Sequence, residues 1–318
     1  MSRLTRALAA LLAAALFLAG CSGESPAEAP DPDTSATPEQ AAKPSPEPSP
    51  TEEPPELIGG GTELFPEKRF IALYGHPEYP ELGALGEQDP QASAERVIDL
   101  AEYYEKHTDK QVIPAFEIIV TMASSAPGED GNYSAVADRA AIAEYLDAAE
   151  EHDIYVVLDL QPGHADFLSQ AKLFEDFLTR PNVGLALDPE WRLAPGQVHM
   201  QQIGSVSAAE INETTQWLAE LTAEHELPQK MVILHQFRTS MIPDREQVNT
   251  DHPELAMVLH ADGHGTPEQK LDTWRVLKQD LPEDMHMAWK NFYRQDKPMF
   301  SPKQTFEIEP KPWFVSYQ

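Results

Sequence analysis

Two short runs hold most of the side chains able to do chemistry. Asp188-Pro189-Glu190 places two carboxylates two residues apart at the end of an apolar run, so on a strand they point to one side. Carboxylates sharing a site push their pKa values apart, leaving one protonated near neutral pH and the other ionised. That division suits acid-assisted cleavage of a glycosidic bond. One group protonates the leaving oxygen, and the second stabilises an oxocarbenium-like transition state or activates water. The second run, His260-Ala261-Asp262-Gly263-His264, alternates three metal-ligand types. With His76, Glu117, Asp159 and His235 it offers the donors that a water-activating divalent metal needs. No His-x-His pair follows the first apolar run, where Gly75-His76-Pro77 stands instead.

Other chemistries lack their residues. There is no Gly-x-Ser-x-Gly, no Gly-x-Gly-x-x-Gly and no Gly-x-x-x-x-Gly-Lys, which removes local support for serine acyl transfer, dinucleotide binding and phosphate-loop chemistry. Met285-His286-Met287 reads as packing rather than copper ligation.

The elements that must position these groups form a repeating pattern. Eight apolar runs read as strands: Arg69 to Gly75, Val112 to Thr121, Ile154 to Leu160, Val183 to Leu187, Met231 to Gln236, Leu255 to His260, Met287 to Tyr293, and Trp313 to Tyr317. Those at Ile154, Val183, Met231 and Leu255 are continuous apolar runs of the kind expected for parallel strands buried on both faces. Helices lie between them. Asp89-Pro90 opens one through Tyr104, Asp138 to Glu151 and Asp166 to Thr179 have helical spacing, and Thr266-Pro267-Glu268-Gln269 opens another. Ser207 with Glu210 predicts a capping box before a helix through His225. Ile242 to Pro253 and Pro298 to Pro312 are loop-like, so one or two helices should be short or missing. The α/β fold expected is a (β/α)8 barrel of TIM type over residues 57 to 318.

In such a barrel the site sits at the C-terminal strand ends. Those ends supply Tyr74 and His76; Glu117; Asp159 and Gln161; Asp188, Glu190 and Trp191; His235, Gln236 and Arg238; His260, Asp262 and His264; Lys290 and Tyr293; and Tyr317. The expected catalytic set is Glu190, Asp188, Glu117, Asp159 and Asp262. Tyr74, His76, Gln161, Trp191, His235, Gln236, His260, Lys290 and Tyr293 are expected to bind substrate, with aromatic rings stacking on sugar faces. The same pocket serves three readings: a carbohydrate hydrolase without a cofactor, a divalent-metal hydrolase, or a binding module that captures a wall fragment without turning it over.

The N-terminal region speaks to location. Arg3 and Arg6 precede the apolar run Ala7 to Leu18 and the small pair Ala19-Gly20 before Cys21. Residues 1–20 therefore read as a secretory signal, too short to span a bilayer. Residues 21–56 read as a disordered tether. From residue 22 to 56 there are ten prolines and nine acids against the single Lys43, a charge of −8. Such a stretch forms no core, and at ~3.1 Å per residue it reaches ~110 Å. The chain carries −30 overall, and about −24 falls on residues 57 to 318, which excludes affinity for nucleic acid or anionic lipid. A monomer is expected, with a carbohydrate or cell-wall polymer as partner.

Two family resemblances add to this. Leu18-Ala19-Gly20-Cys21 resembles the lipobox of bacterial lipoproteins, which implies a diacylglycerol thioether on Cys21 and an outward-facing membrane anchor. As the sole cysteine, Cys21 can form no intramolecular disulfide. Gly184 to Glu190 resembles, through Gly184, Asp188 and Glu190, the fourth-strand acidic motif of chitinase-like glycoside hydrolase barrels. That resemblance implies Glu190 as the acid and Asp188 as its partner; Val183 and Ala186 stand where the family has further aspartates. As a whole the chain is similar to exported barrel lipoproteins of high-GC Gram-positive bacteria.

Overall fold

The computed structural model describes residues 54–318. The expected signal peptide, Cys21 and most of the expected tether lie outside the described residues. Among the described residues there are nine strands: β1 (Lys68–Gly75), β2 (Gln111–Ala123), β3 (Ser134–Val136), β4 (Tyr155–Leu160), β5 (Val183–Leu187), β6 (Lys230–Gln236), β7 (Leu255–Ala261), β8 (His286–Asn291) and β9 (Phe314–Tyr317). Eight of them run parallel in the order β1-β9-β8-β7-β6-β5-β4-β2, and pairing of β1 with β2 closes the ring. This is the TIM-type barrel. Strand β3, which the sequence pattern did not predict, adds antiparallel to the end of β2.

The helices follow their caps. Asp89 and Asp138 accept the first free N–H groups of α1 (Pro90–Glu105) and α2 (Arg139–Glu151), and Thr266 and Gln269 close a reciprocal capping box on α6 (Pro267–Leu277). The single helix expected over Asp166 to Thr179 is instead two short ones, α3 (Phe167–Ala171) and α4 (Glu175–Leu178), with a 3-10 turn between them. The break falls at Phe174, where φ −119° and ψ 20° leave the helical region, and its buried ring stacks near Phe177. At α5 (Ala208–Glu224), Ser207 accepts from the Glu210 N–H, but the Glu210 carboxylate does not return to the cap. It takes the Arg192 guanidinium at 2.8 and 3.1 Å instead. After β6 only 3-10 turns appear, and after β8 only the single turn α7 (Pro302–Thr305).

Side chains alternate in and out along each strand. Outward apolar residues pack beneath the helices. Inward ones, including Phe70, Ala115, Tyr155, Val157, Met231, Ile233, Val258 and Phe314, fill the barrel from its N-terminal end, where Leu57, Leu64 and Phe65 close the bottom. Gly184 occupies an inward position because a Cβ there would lie 2.5 Å from the Met231 carbonyl oxygen and 2.9 Å from the Tyr155 hydroxyl. The apolar filling stops one position before the strand ends, and the next inward layer is polar.

Candidate active site

An inward position at or near the end of each barrel strand carries Tyr74, Glu117, Asp159, Asp188, His235, His260, Lys290 or Ser316, all buried. One residue per strand makes a polar layer on an apolar plug, and there the low dielectric demands that charges be paired. His235 is the hub. Its Nε2–H donates to Glu117 Oε1 at 2.8 Å and its Nδ1–H to Asp262 Oδ2 at 2.9 Å, and Asp159 Oδ1 stands 3.8 Å from Nε2. With a carboxylate at each nitrogen the ring is an imidazolium: burial opposes its charge, but Glu117 and Asp159 hold its pKa well above the usual range. Glu117 is held low by His235 and His260 against the same burial. The Tyr74 hydroxyl donates to Asp159 Oδ2 at 2.9 Å and accepts from Gln161 Nε2 at 3.3 Å. Lys290 lies with Nζ 3.4 Å from the Tyr74 ring centroid, a cation held over an aromatic face.

Above this layer opens a cavity of about 460 Å³. Its acids are Asp188, Glu190 and Asp262, its cations Lys290 and Arg238, and its rings include Tyr74, Trp191, Phe237 and Phe292. Asp188 directly follows β5 and its Oδ1 accepts from the Glu190 N–H at 3.0 Å, so it caps the tight turn Pro189–Trp191 that lifts Glu190 and Trp191 to the wall. Arg192, paired with Glu210, and Gly204, whose N–H donates to the Glu190 carbonyl at 2.8 Å, hold that turn from behind.

The carboxyls differ in environment. Burial, then repulsion from Asp262, pushes Glu190 up to about 7. Burial drives Asp188 well above the carboxylate range and Asp159 up to about 6. Asp262 moves the other way: burial works against its charge, but the hydrogen bond and charge of His235 outweigh it. Near pH 7 Glu190 is thus about half protonated, while Asp262 on the same cavity is ionised.

Of the residues expected from the sequence, Tyr74, Gln161, Asp188, Glu190, Trp191, Asp262 and Lys290 line the cavity, and Glu117, Asp159, His235 and His260 lie buried among the inward strand ends. Three others lie elsewhere. Gln236 is one position after inward His235 and so faces outward, where its amide binds the Arg238 and Thr239 carbonyls and Arg245. Tyr293 is 41% exposed outside the cavity, near Arg96 and Tyr317. His76 packs on Tyr79 beyond the strand and accepts from the Glu78 N–H. Tyr317 also faces outward, its hydroxyl bonded to that of Tyr104, and its neighbour Ser316 takes the inward place. Strict period-two counting from Phe314 would have selected Ser316. Arg238 and His264 line the cavity as well, whereas Phe237, Phe292 and Gln318 have no strand-end signature that marks them. A second cavity of about 250 Å³, between Ile58, Leu146 and Asn182, lies toward the N-terminal strand ends, away from the polar layer.

Among the described residues, Glu117, His235 and His260 bring one possible metal-ligand atom each within 4.8 Å of one another. No helix of the described residues is long and apolar enough to cross a membrane.

No family model matches the chain, and no curated protein matches it. Among solved structures it is similar to a quadruple mutant of the α-N-acetylgalactosaminidase NagBb from Bifidobacterium bifidum, at 12% identity and a TM-score of 0.29, over 70% of this chain and 43% of that one. A putative alpha amylase from Salmonella typhimurium gives 14% identity and a TM-score of 0.26, over 76% of this chain and 36% of that one. The chain spans less than half the length of either.

Proposed function

We propose that this chain is an exported, lipid-anchored glycoside hydrolase that cleaves a cell-wall or extracellular carbohydrate by carboxylate acid/base chemistry. The observation that carries this reading is the pairing of Glu190, with its carboxyl near 7, with ionised Asp262 in one cavity. An acid of that pKa is still about half protonated at neutral pH and gives its proton up readily to a leaving-group oxygen. Asp262 is the counter-charge that stabilises the oxocarbenium-like transition state or activates water. Trp191 offers a face for a sugar ring, and Lys290, Arg238 and Gln161 offer hydroxyl partners. The Leu18-Ala19-Gly20-Cys21 sequence supports a diacyl anchor on Cys21, and the proline-rich tether supports a barrel held out toward wall polymers.

The test is release of reducing ends from a panel of wall and extracellular glycans by wild type and Glu190→Gln. Loss of a general acid predicts a fall of about 10²–10⁴-fold in turnover with binding retained. Equal turnover in the variant refutes the assignment. Saturable glycan binding with no product from wild type makes the barrel a capture module and refutes hydrolysis.

A further inference from the structure

We propose that Glu117, Asp159, His235 and His260 form a binding site for one first-row divalent cation, Zn²⁺ by preference, enclosed in the barrel just beneath the cavity. One donor atom each of Glu117, His235 and His260 lies within 4.8 Å of the others, and Asp159 flanks His235. Glu117 Oε1 lies 2.8 Å from His235 Nε2 and 3.7 Å from His260 Nδ1, and Asp159 Oδ1 lies 3.8 Å from His235 Nε2. Ligands at about 2.0–2.1 Å around a tetrahedral ion stand about 3.3–3.4 Å apart, so the donor atoms of Glu117, His235 and His260, all within 4.8 Å of one another, close on an ion with shifts of about an ångström, and Asp159 completes the shell by turning toward it from beside His235.

Unpartnered polar atoms point to the same place independently. His260 Nδ1, Glu117 Oε2 and Asp159 Oδ1 are buried without any hydrogen-bond partner, on residues that are 0% exposed. The imidazolium form of His235 satisfies Glu117 Oε1 and Asp262 Oδ2 and leaves those three atoms unanswered. Buried polar atoms are almost always paired, and a cation bound by all four residues would answer the His260 nitrogen and the Asp159 oxygen together.

The outer contacts aim both imidazoles inward. His235 Nδ1 is held by Asp262 at 2.9 Å and His260 Nε2 by the Ser316 hydroxyl at 3.2 Å, which leaves Nε2 of the first and Nδ1 of the second for metal. A carboxylate or hydroxyl behind each ligating imidazole is the usual arrangement around protein-bound metals. Two nitrogens and two carboxylates select a borderline ion over Mg²⁺ or Ca²⁺, which take oxygen shells, and the two carboxylates neutralise its charge. Binding displaces the His235 Nε2 proton to solvent, and Asp262 keeps its hydrogen bond to Nδ1 throughout. The site touches the cavity through Asp262 and Tyr74, which line it. This inference holds whichever reaction the cavity runs.

The experiment uses the whole chain, made without a histidine tag, stripped with a chelator and dialysed to equilibrium against Zn²⁺. One equivalent should be retained, with no competition from a hundredfold excess of Mg²⁺. His260→Gln and Glu117→Gln, checked for folding by circular dichroism, should each bind at least tenfold more weakly. No retained Zn²⁺ in wild type, displacement by Mg²⁺, or equal retention in both folded variants overturns the site. Should both variants unfold, the Co²⁺ spectrum of wild type decides: intense tetrahedral bands support it, and a weak octahedral spectrum or none overturns it.

Discussion

Replacing Glu190 by Gln should change how stability depends on pH, and that can be measured without knowing the substrate. The carboxyl titrates near 7 in the fold and at about 4.3 in an unfolded chain. Because the folded value is the higher one, the group favours folding fully below about pH 4, and that contribution is lost as pH rises through 7. At about 1.4 kcal/mol per pH unit of separation, the loss is about 3–4 kcal/mol by pH 8. The introduced carboxamide keeps the shape, carries no charge and removes the repulsion with Asp262. The variant should therefore match wild type to within about 1 kcal/mol at pH 4 and exceed it by about 3 kcal/mol at pH 8. Urea unfolding of both proteins across pH 4–8, followed by circular dichroism, reads the gap directly. A gap that stays constant with pH would show that Glu190 titrates as an ordinary exposed carboxyl, and the assignment of a neutral acid would fall with it.

Three further outcomes follow from particular contacts. Lys270→Met removes the partner of buried Asp296, 2.6 Å away, whose carboxylate also accepts from the Gly265 and Phe292 N–H groups; it should lower stability by about 3–5 kcal/mol, and urea unfolding within about 1 kcal/mol of wild type would contradict this. Gly204→Ala places a Cβ 2.4 Å from the Pro189 and Arg192 carbonyl oxygens, so it must displace the turn that presents Glu190. Turnover on any glycan the wild type cleaves should drop by about 10-fold or more with the fold retained, and unchanged kcat would show that the turn's position is not critical. Cys21→Ala should move the chain from the membrane fraction to the medium as a folded protein, and membrane retention would argue against the lipid anchor.

Much of the barrel was written locally. Strands buried on both faces need continuous apolar runs, so Ile154 to Leu160 and Val183 to Leu187 announced β4 and β5, and caps such as Asp89 and Thr266 answer N–H groups within their own first turn. Sites at C-terminal strand ends also made Asp188, Glu190 and Asp262 stand out, because charge appears there directly after apolar sequence. The tertiary structure alone decided which strand-end residues face inward. That choice depends on strand parity and on where regular pairing stops, which is why Gln236 and Tyr317 turned out and Ser316 turned in. It also decided the electrostatics. Glu117 and His235 are 118 residues apart yet hydrogen-bonded, and no local pattern encodes such a meeting. Whether a carboxyl holds its proton depends on burial and on neighbours brought from other strands. So the sequence could name Glu190 and Asp262, but only barrel closure made one of them an acid and the other a charge.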